Sequence, residues 1–171
     1  MNQEKGISSI YREVQQIRQI WVWLIILFLT GFIWYGFIIQ VVMHRPFGTN
    51  PAPNIVLIIF WFIFGVGFPL LLPFTKLITE VRNDGIYIKL FPFHWSFRKI
   101  AFKELKFYEV RTYHPIREYG GWGIRKGRQG MAYNMSGNKG VQLELYNNKR
   151  LLIGSQLPEE LFQAIRDQID K

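Results

Sequence analysis

The chain has no cysteine. Disulfides, thiolate metal sites and a cysteine nucleophile are thereby excluded, while the redox compartment stays open. Histidine is scarce: His44, His94 and His114 are the only three. None stands at metal-ligand spacing from a second histidine or an acid, so no metal and no cofactor is expected. Acidic residues are outnumbered, 12 against 21 basic ones. The excess is uneven. Up to Thr75 there are four basic residues (Lys5, Arg12, Arg18, Arg45) and two acidic ones (Glu4, Glu13), so the other 17 basic and 10 acidic residues follow Thr75.

Charge is missing altogether from two long runs. The first spans 19–43, between Arg18 and His44-Arg45, and the apolar part of the second spans 55–75. A helix crosses a bilayer core with about 20 apolar residues, so both runs are long enough. The segment His44–Asn54 between them holds three prolines and a glycine, which makes a turn. The first run is too long for a signal-peptide core and lacks a small-x-small cleavage site, so a retained helix is expected. The spans lack the intramembrane ionisable residues that mark a transport path. Gly31 and Gly36 stand five apart, not at the four-residue spacing of a helix dimer motif. The sequence thus predicts a two-helix transmembrane anchor, integral in lipid. Lys5, Arg12 and Arg18 flank it before, Lys76 and Arg82 after, against Arg45 alone in the turn. The positive-inside rule then places both termini in the cytoplasm, in a multi-pass cell-membrane protein.

Before the membrane, Ile7, Ile10, Val14 and Ile17 recur at three- and four-residue spacing. This predicts an amphipathic cytoplasmic helix over 1–18, either lying on the membrane or a partner, or docked on its own soluble domain. After Lys76 the texture changes to short strands: Leu77–Arg82, Ile86–Leu90, Trp95–Phe102, Leu105–Tyr113, Met131–Met135, Val141–Leu145 and Leu151–Ile153. Asn83-Asp84-Gly85 is a hairpin signal between the first two, and the turn spacing indicates an all-β sandwich or barrel. Pro158 suits the first turn of a helix, Glu159 and Glu160 complement its positive end, and Leu161, Phe162, Ile165 and Ile169 form one stripe. Residues 76–171 are therefore expected to form one soluble domain of about seven strands, capped by a C-terminal helix.

That order resembles a pleckstrin-homology-like (PH-like) domain. The stretches Tyr119-Gly120-Gly121-Trp122-Gly123-Ile124-Arg125, Ala132–Gly137, Gly140–Leu143, Lys149–Gln156 and Pro158–Leu161 look like those of prokaryotic membrane-anchored members of that class, with two transmembrane helices ahead of the domain. The resemblance implies a fold and a location, and no reaction.

No residues assemble into a catalytic motif. Ser96, Ser136 and Ser155 lie in no G-x-S-x-G elbow, and the glycine-rich stretch 119–130 has neither a Walker lysine nor a dinucleotide-binding context. No catalytic residue is assigned, and a membrane-bound hydrolase is the least favoured alternative. Within the stretch, Arg117, Arg125, Lys126 and Arg128 are candidates for an anionic surface, because arginine forks match phosphate oxygens. The competing reading gives the glycines to tight hairpins and a bent strand. A second basic cluster is Arg98, Lys99, Lys103 and Lys106, which reads either as a headgroup contact or as a solvated strand face. Nucleic acid is not expected, because the tether holds the domain at a membrane. The reading that results is non-enzymatic: a membrane-anchored domain binding protein partners or the anionic inner leaflet. The alternative is a structural subunit of a homo-oligomeric assembly.

Overall fold

A computed structural model describes residues 9–171, so Ile7 and the other early residues of the expected N-terminal helix lie outside the described part. The chain divides into two compact units: Ile17–Phe74, and residues 9–16 together with Thr75–Lys171.

The first unit is a helical hairpin. Helix α1 (Ile20–Val42) has a mean hydropathy of 2.3 and α2 (Asn54–Phe74) of 2.8. Both are long and apolar enough to cross a membrane. Gly65, Gly67, Pro69 and Pro73 do not end α2. They change its winding, which widens into π turns over Trp61–Gly67 and tightens into a 3-10 turn at Leu72–Phe74. Proline has no N–H, so the carbonyl four residues before it loses its helical donor. Gly65 stands four before Pro69, and its carbonyl accepts a hydrogen bond from Trp34 Nε1 of α1 at 3.0 Å. In hydrocarbon an unmet backbone group is costly, so this bond both satisfies α2 and joins the helices. Phe37 stacks on Trp61 with ring centroids 4.4 Å apart. The connecting turn is fastened by Gln40, whose Nε2 donates to Ala52 O at 2.5 Å and Asn54 Oδ1 at 2.9 Å. Phe47 N donates back to Gln40 Oε1 at 3.3 Å.

The second unit is a β domain. Strand β1 (Tyr11–Gln16) occupies the place where the sequence predicts an amphipathic helix, and that expectation is corrected. The cause is an inverted pattern. Glu13 and Gln15 point inward and are buried, while Val14 is 44% exposed. Ile10 and Val14, two of the apolar residues that suggest a helical period, are exposed. Strands β2 (Lys76–Arg82), β3 (Gly85–Phe91) and β4 (Arg98–Ala101) complete an antiparallel sheet in the order β1-β2-β3-β4. The expected hairpin closes with Arg82 opposite Gly85.

The second sheet comprises β5 (Leu105–Thr112), β6 (Gly123–Gly127), β7 (Gly130–Asn134), β8 (Lys139–Leu145) and β9 (Arg150–Gly154). Its order is β5-β8-β9-β7-β6. The β7–β9 pair is parallel and the others antiparallel. A short helix α3 (Pro115–Tyr119) connects β5 to β6, and α4 (Pro158–Ile169) ends the fold. Leu161 and Ile165 of α4 are fully buried with Val81, Ile86, Val141 and Leu152, and α4 packs against β2, β5 and β8. One helix therefore touches both sheets. Nine strands stand where seven are expected, the additions being β1 and the glycine-rich β6. Among the described residues the two sheets form separate ladders, with no closed barrel.

The pairing of β1 with β2 carries a topological consequence. Gln16 and Lys76 are register partners, so the chain leaves the sheet for the hairpin and returns from it at one end. On one face, Arg12 Nε lies 3.3 Å from Glu80 Oε1, which belongs to its own register partner. On the other, the Glu13 carboxylate accepts from Ser155 Oγ at 2.6 Å, Gln156 N at 2.7 Å and Tyr11 OH at 2.9 Å. Gln15 Nε2 donates to Gly154 O at 2.7 Å. Burial pushes the Tyr11 hydroxyl above its usual range, and the neighbouring Glu13 charge adds to this.

Two outcomes follow. Glu13→Ala strips an acceptor from three donors, and leaving buried donors unmet costs about 1–3 kcal/mol. Thermal unfolding of the detergent-solubilised chain is expected to fall accordingly, whereas Val14→Ala, at an exposed position, changes it little. Trp34→Phe removes the donor to Gly65 and is expected to cost the hairpin about 0.6–2 kcal/mol, read as a lower midpoint in mixed-micelle unfolding.

Candidate basic cleft

The β6–β7 hairpin turns through Arg128-Gln129, with Gly127 opposite Gly130. Two glycines bring this tip into place. A Cβ on Gly127 would strike the Glu118 carbonyl and the Tyr119 ring, and one on Gly130 would strike the Arg150 carbonyl. Gly130 also has φ +106, a conformation that side chains rarely adopt. The tip is thus wedged between α3 and the start of β9. Close approach explains these glycines, and it also fixes where Lys126 and Arg128 stand.

Two adjoining clefts open there and share Lys126, Arg128 and Gln129. The first, of about 840 Å³, adds Arg117 and Glu118. Glu118 is already occupied: it forms an ion pair with Arg111, and its Oε1 accepts from His114 N at 2.7 Å. The second cleft, of about 580 Å³, adds Arg98, Lys149 and Arg150 and has no acidic lining residue. Arg98 is aimed by a hydrogen bond from Nη1 to Tyr133 Oη at 2.6 Å, and Tyr133 is buried. Arg150 Nε lies 3.7 Å from Glu144 Oε2, a partial neutralisation. Lys149 is presented by the β8–β9 turn, where Leu145 N donates to Lys149 O at 2.9 Å and Asn148 takes the left-handed conformation at φ 59°. Among the described residues, no carboxylate pairs with Lys126, Arg128 or Lys149.

The structure regroups the basic residues singled out from sequence. Arg117, Lys126 and Arg128 line clefts. Arg125 lines neither, and its Nε donates to Trp122 O at 2.9 Å. Of the second cluster, Arg98 joins the cleft and the others disperse. Lys99 pairs with Asp84 beside the β2–β3 turn. Their hydrogen bond raises the Lys99 pKa and lowers that of Asp84. Lys106 Nζ lies 3.3 Å from Glu144 Oε1, and Lys103 is exposed beside β5. Lys149 and Arg150 were missed. Their only sequence signal is a turn rich in asparagine, and nothing local shows that it meets the tip of another hairpin.

His94 Nδ1 accepts Leu90 N–H at 3.3 Å and serves its own turn. The 330 Å³ cleft it lines contains no carboxylate. Among the described residues, no group of three His, Asp or Glu side chains is placed to hold a metal ion. The interior has a phenol cluster instead, with Tyr113 and Tyr119 in edge contact at 6.0 Å. Burial pushes the Tyr113 hydroxyl up to about 12.

A family model described as a family of unknown function, DUF6141, matches residues 2–170. The chain belongs to the DUF6141 family. No curated protein and no solved structure matches it. For this DUF6141 member the cleft is therefore argued from its own geometry. Gly127→Val is expected to displace the hairpin tip and cost about 1–3 kcal/mol by overpacking, measured by thermal unfolding. Arg125→Ala, outside both clefts, is expected to leave the midpoint within about 0.5 kcal/mol.

Proposed function

We propose that this protein is a non-enzymatic, membrane-anchored PH-like domain whose basic cleft engages the anionic inner leaflet. The observation that carries this reading is the set Lys126, Arg128 and Lys149, three cations without carboxylate partners on one cleft, in a domain whose chain runs directly into two apolar helices. Each Lys or Arg near an anionic surface gains about 1 kcal/mol, within a Debye length. A tether already raises the local concentration of headgroups to the millimolar range, so contacts this weak are enough to orient the domain. The PH-like part of the reading is supported by two sheets of antiparallel character and a terminal helix contacting both. The orientation, with both termini cytoplasmic, is supported by the flanking Lys and Arg and by the pairing of Gln16 with Lys76.

The test uses the full chain in nanodiscs. Because the protein has no cysteine, Gln129→Cys gives a single labelling site on the cleft rim for energy transfer to a headgroup acceptor. Transfer is expected to rise when phosphatidylglycerol is added to phosphatidylcholine. The rise is expected to vanish in the K126E/R128E/K149E variant and to persist in K99E/K106E, whose lysines are already paired. Equal transfer in both lipids, or a rise indifferent to the triple reversal, defeats the reading.

A further inference from the structure

The connection from β3 to β4 runs Pro92-Phe93-His94-Trp95-Ser96-Phe97, and together with Phe91 at the end of β3 it presents three large aromatic side chains to solvent. Trp95 is 95% exposed, Phe93 64% and Phe91 45%. A soluble surface rarely shows several large aromatics side by side, and such a patch marks an interaction site. The loop is nonetheless built. His94 N donates to Leu90 O at 2.7 Å, and the imidazole accepts Leu90 N–H in return. Phe97 turns back under the Arg82 guanidinium, 5.2 Å from its ring centroid, and meets Tyr87 edge-on. Trp95 is therefore held outward by an ordered turn.

The register says which way outward is. Phe91 is opposite Lys76, and Lys76 is opposite Gln16. The loop thus projects from the same end of the sheet at which the chain leaves for α1 and returns from α2. Only Thr75 separates Lys76 from Phe74, the last residue of α2, so chain length alone keeps that sheet end within about 7 Å of the span. Arg98, the next residue after the loop, lines both the loop's cleft and the basic cleft, so the aromatic tip and the cations form one continuous surface. Indole rings prefer the boundary between headgroups and acyl chains, phenyl rings beside them bury on its apolar side, and cations reach the phosphates above it.

We propose that the Phe91–Trp95 tip is a second, non-spanning membrane anchor, which inserts into the headgroup–acyl boundary of the bilayer that α1 and α2 cross. This rests on the proposed anchoring of the hairpin, and it does not need the basic cleft to bind anionic lipid.

Single-cysteine nitroxide labels on the full chain test it in nanodiscs of neutral phosphatidylcholine, where the cleft has no anionic partner. Trp95→Cys and Phe93→Cys report the tip, and neither side chain is part of the core. Asn83→Cys reports the opposite end of the same sheet, and Phe28→Cys reports the middle of α1. The measured quantity is the ratio of collisions with oxygen to collisions with a water-soluble nickel chelate. The expected ratios at 95 and 93 lie well above that at 83 and below that at 28. Ratios at 95 and 93 equal to that at 83, with 28 lipid-immersed, overturn the tip anchor alone. An aqueous ratio at 28 overturns the membrane hairpin and the tip anchor together. Loss of the phosphatidylglycerol response in the earlier experiment leaves this result untouched.

Discussion

The β domain depends on one buried carboxylate. Glu13 sits on β1, the strand that precedes the first apolar helix, and its three donors come from Tyr11, Ser155 and Gln156. Two of these belong to the segment between β9 and α4, so a residue at the start of the described chain closes the end of the second sheet onto the first. Hydrogen bonds to a charged acceptor are roughly twice as strong as neutral ones, and leaving such a group buried without partners is strongly unfavourable. The arrangement is specific for that reason. A one-residue slip of β1 would turn Glu13 outward and bring Arg12 or Val14 in, and neither offers an acceptor to Ser155 Oγ and Gln156 N.

From this tie follows the geometry of the connection to the hairpin. β1 and β2 are neighbours in one sheet, and adjacent strands lie about 5 Å apart. The outgoing and returning segments are therefore held side by side at Gln16 and Lys76. A domain hung on one flexible linker would present every face to its surroundings in turn. Both connections to the apolar helices leave from one end of the sheet, and that end carries the Phe91–Trp95 loop. The continuity of aromatic tip, Arg98 and basic cleft then gives the surface a direction.

Much of this architecture was legible in the sequence, for physical reasons that vary by element. The apolar runs were plain because an uncharged stretch of that length has few alternatives. Most strands of the β domain were plain because one face is more deeply buried, as in Ile86–Leu90, where Ile86 and Ile88 are fully covered and Tyr87 and Lys89 are not. Strand β1 was illegible because its buried residues are polar, and distant partners at Gly154, Ser155 and Gln156 make their burial tolerable. Strand β6 was hidden by glycines that read as turns. Both are strand residues: Gly127 makes a close approach to the Glu118 carbonyl, and Gly123 takes a φ of +108. Two separate sheets, one with a parallel β7–β9 pair, were beyond reach of local patterns, because a crossover of that kind is set by tertiary packing.

The charges show the same limit, and they also show why counting them misleads. Both clusters picked from sequence are groups of neighbours along the chain, whereas the cleft draws on three turns far apart in it. What selects its members is partnership. Lys99 has Asp84, Lys106 has Glu144 and Arg111 has Glu118, so these cations largely spend their field on a neighbour. Lys126, Arg128 and Lys149 keep theirs, and they do so on one concave wall, where low-dielectric sides focus it. An overall excess of positive charge would bind any anionic surface weakly and without orientation. In the proposed reading a few unpaired cations, two of them placed by Gly127 and Gly130, would bind weakly but in one pose, and a domain anchored by two helices would gain more from pose than from affinity.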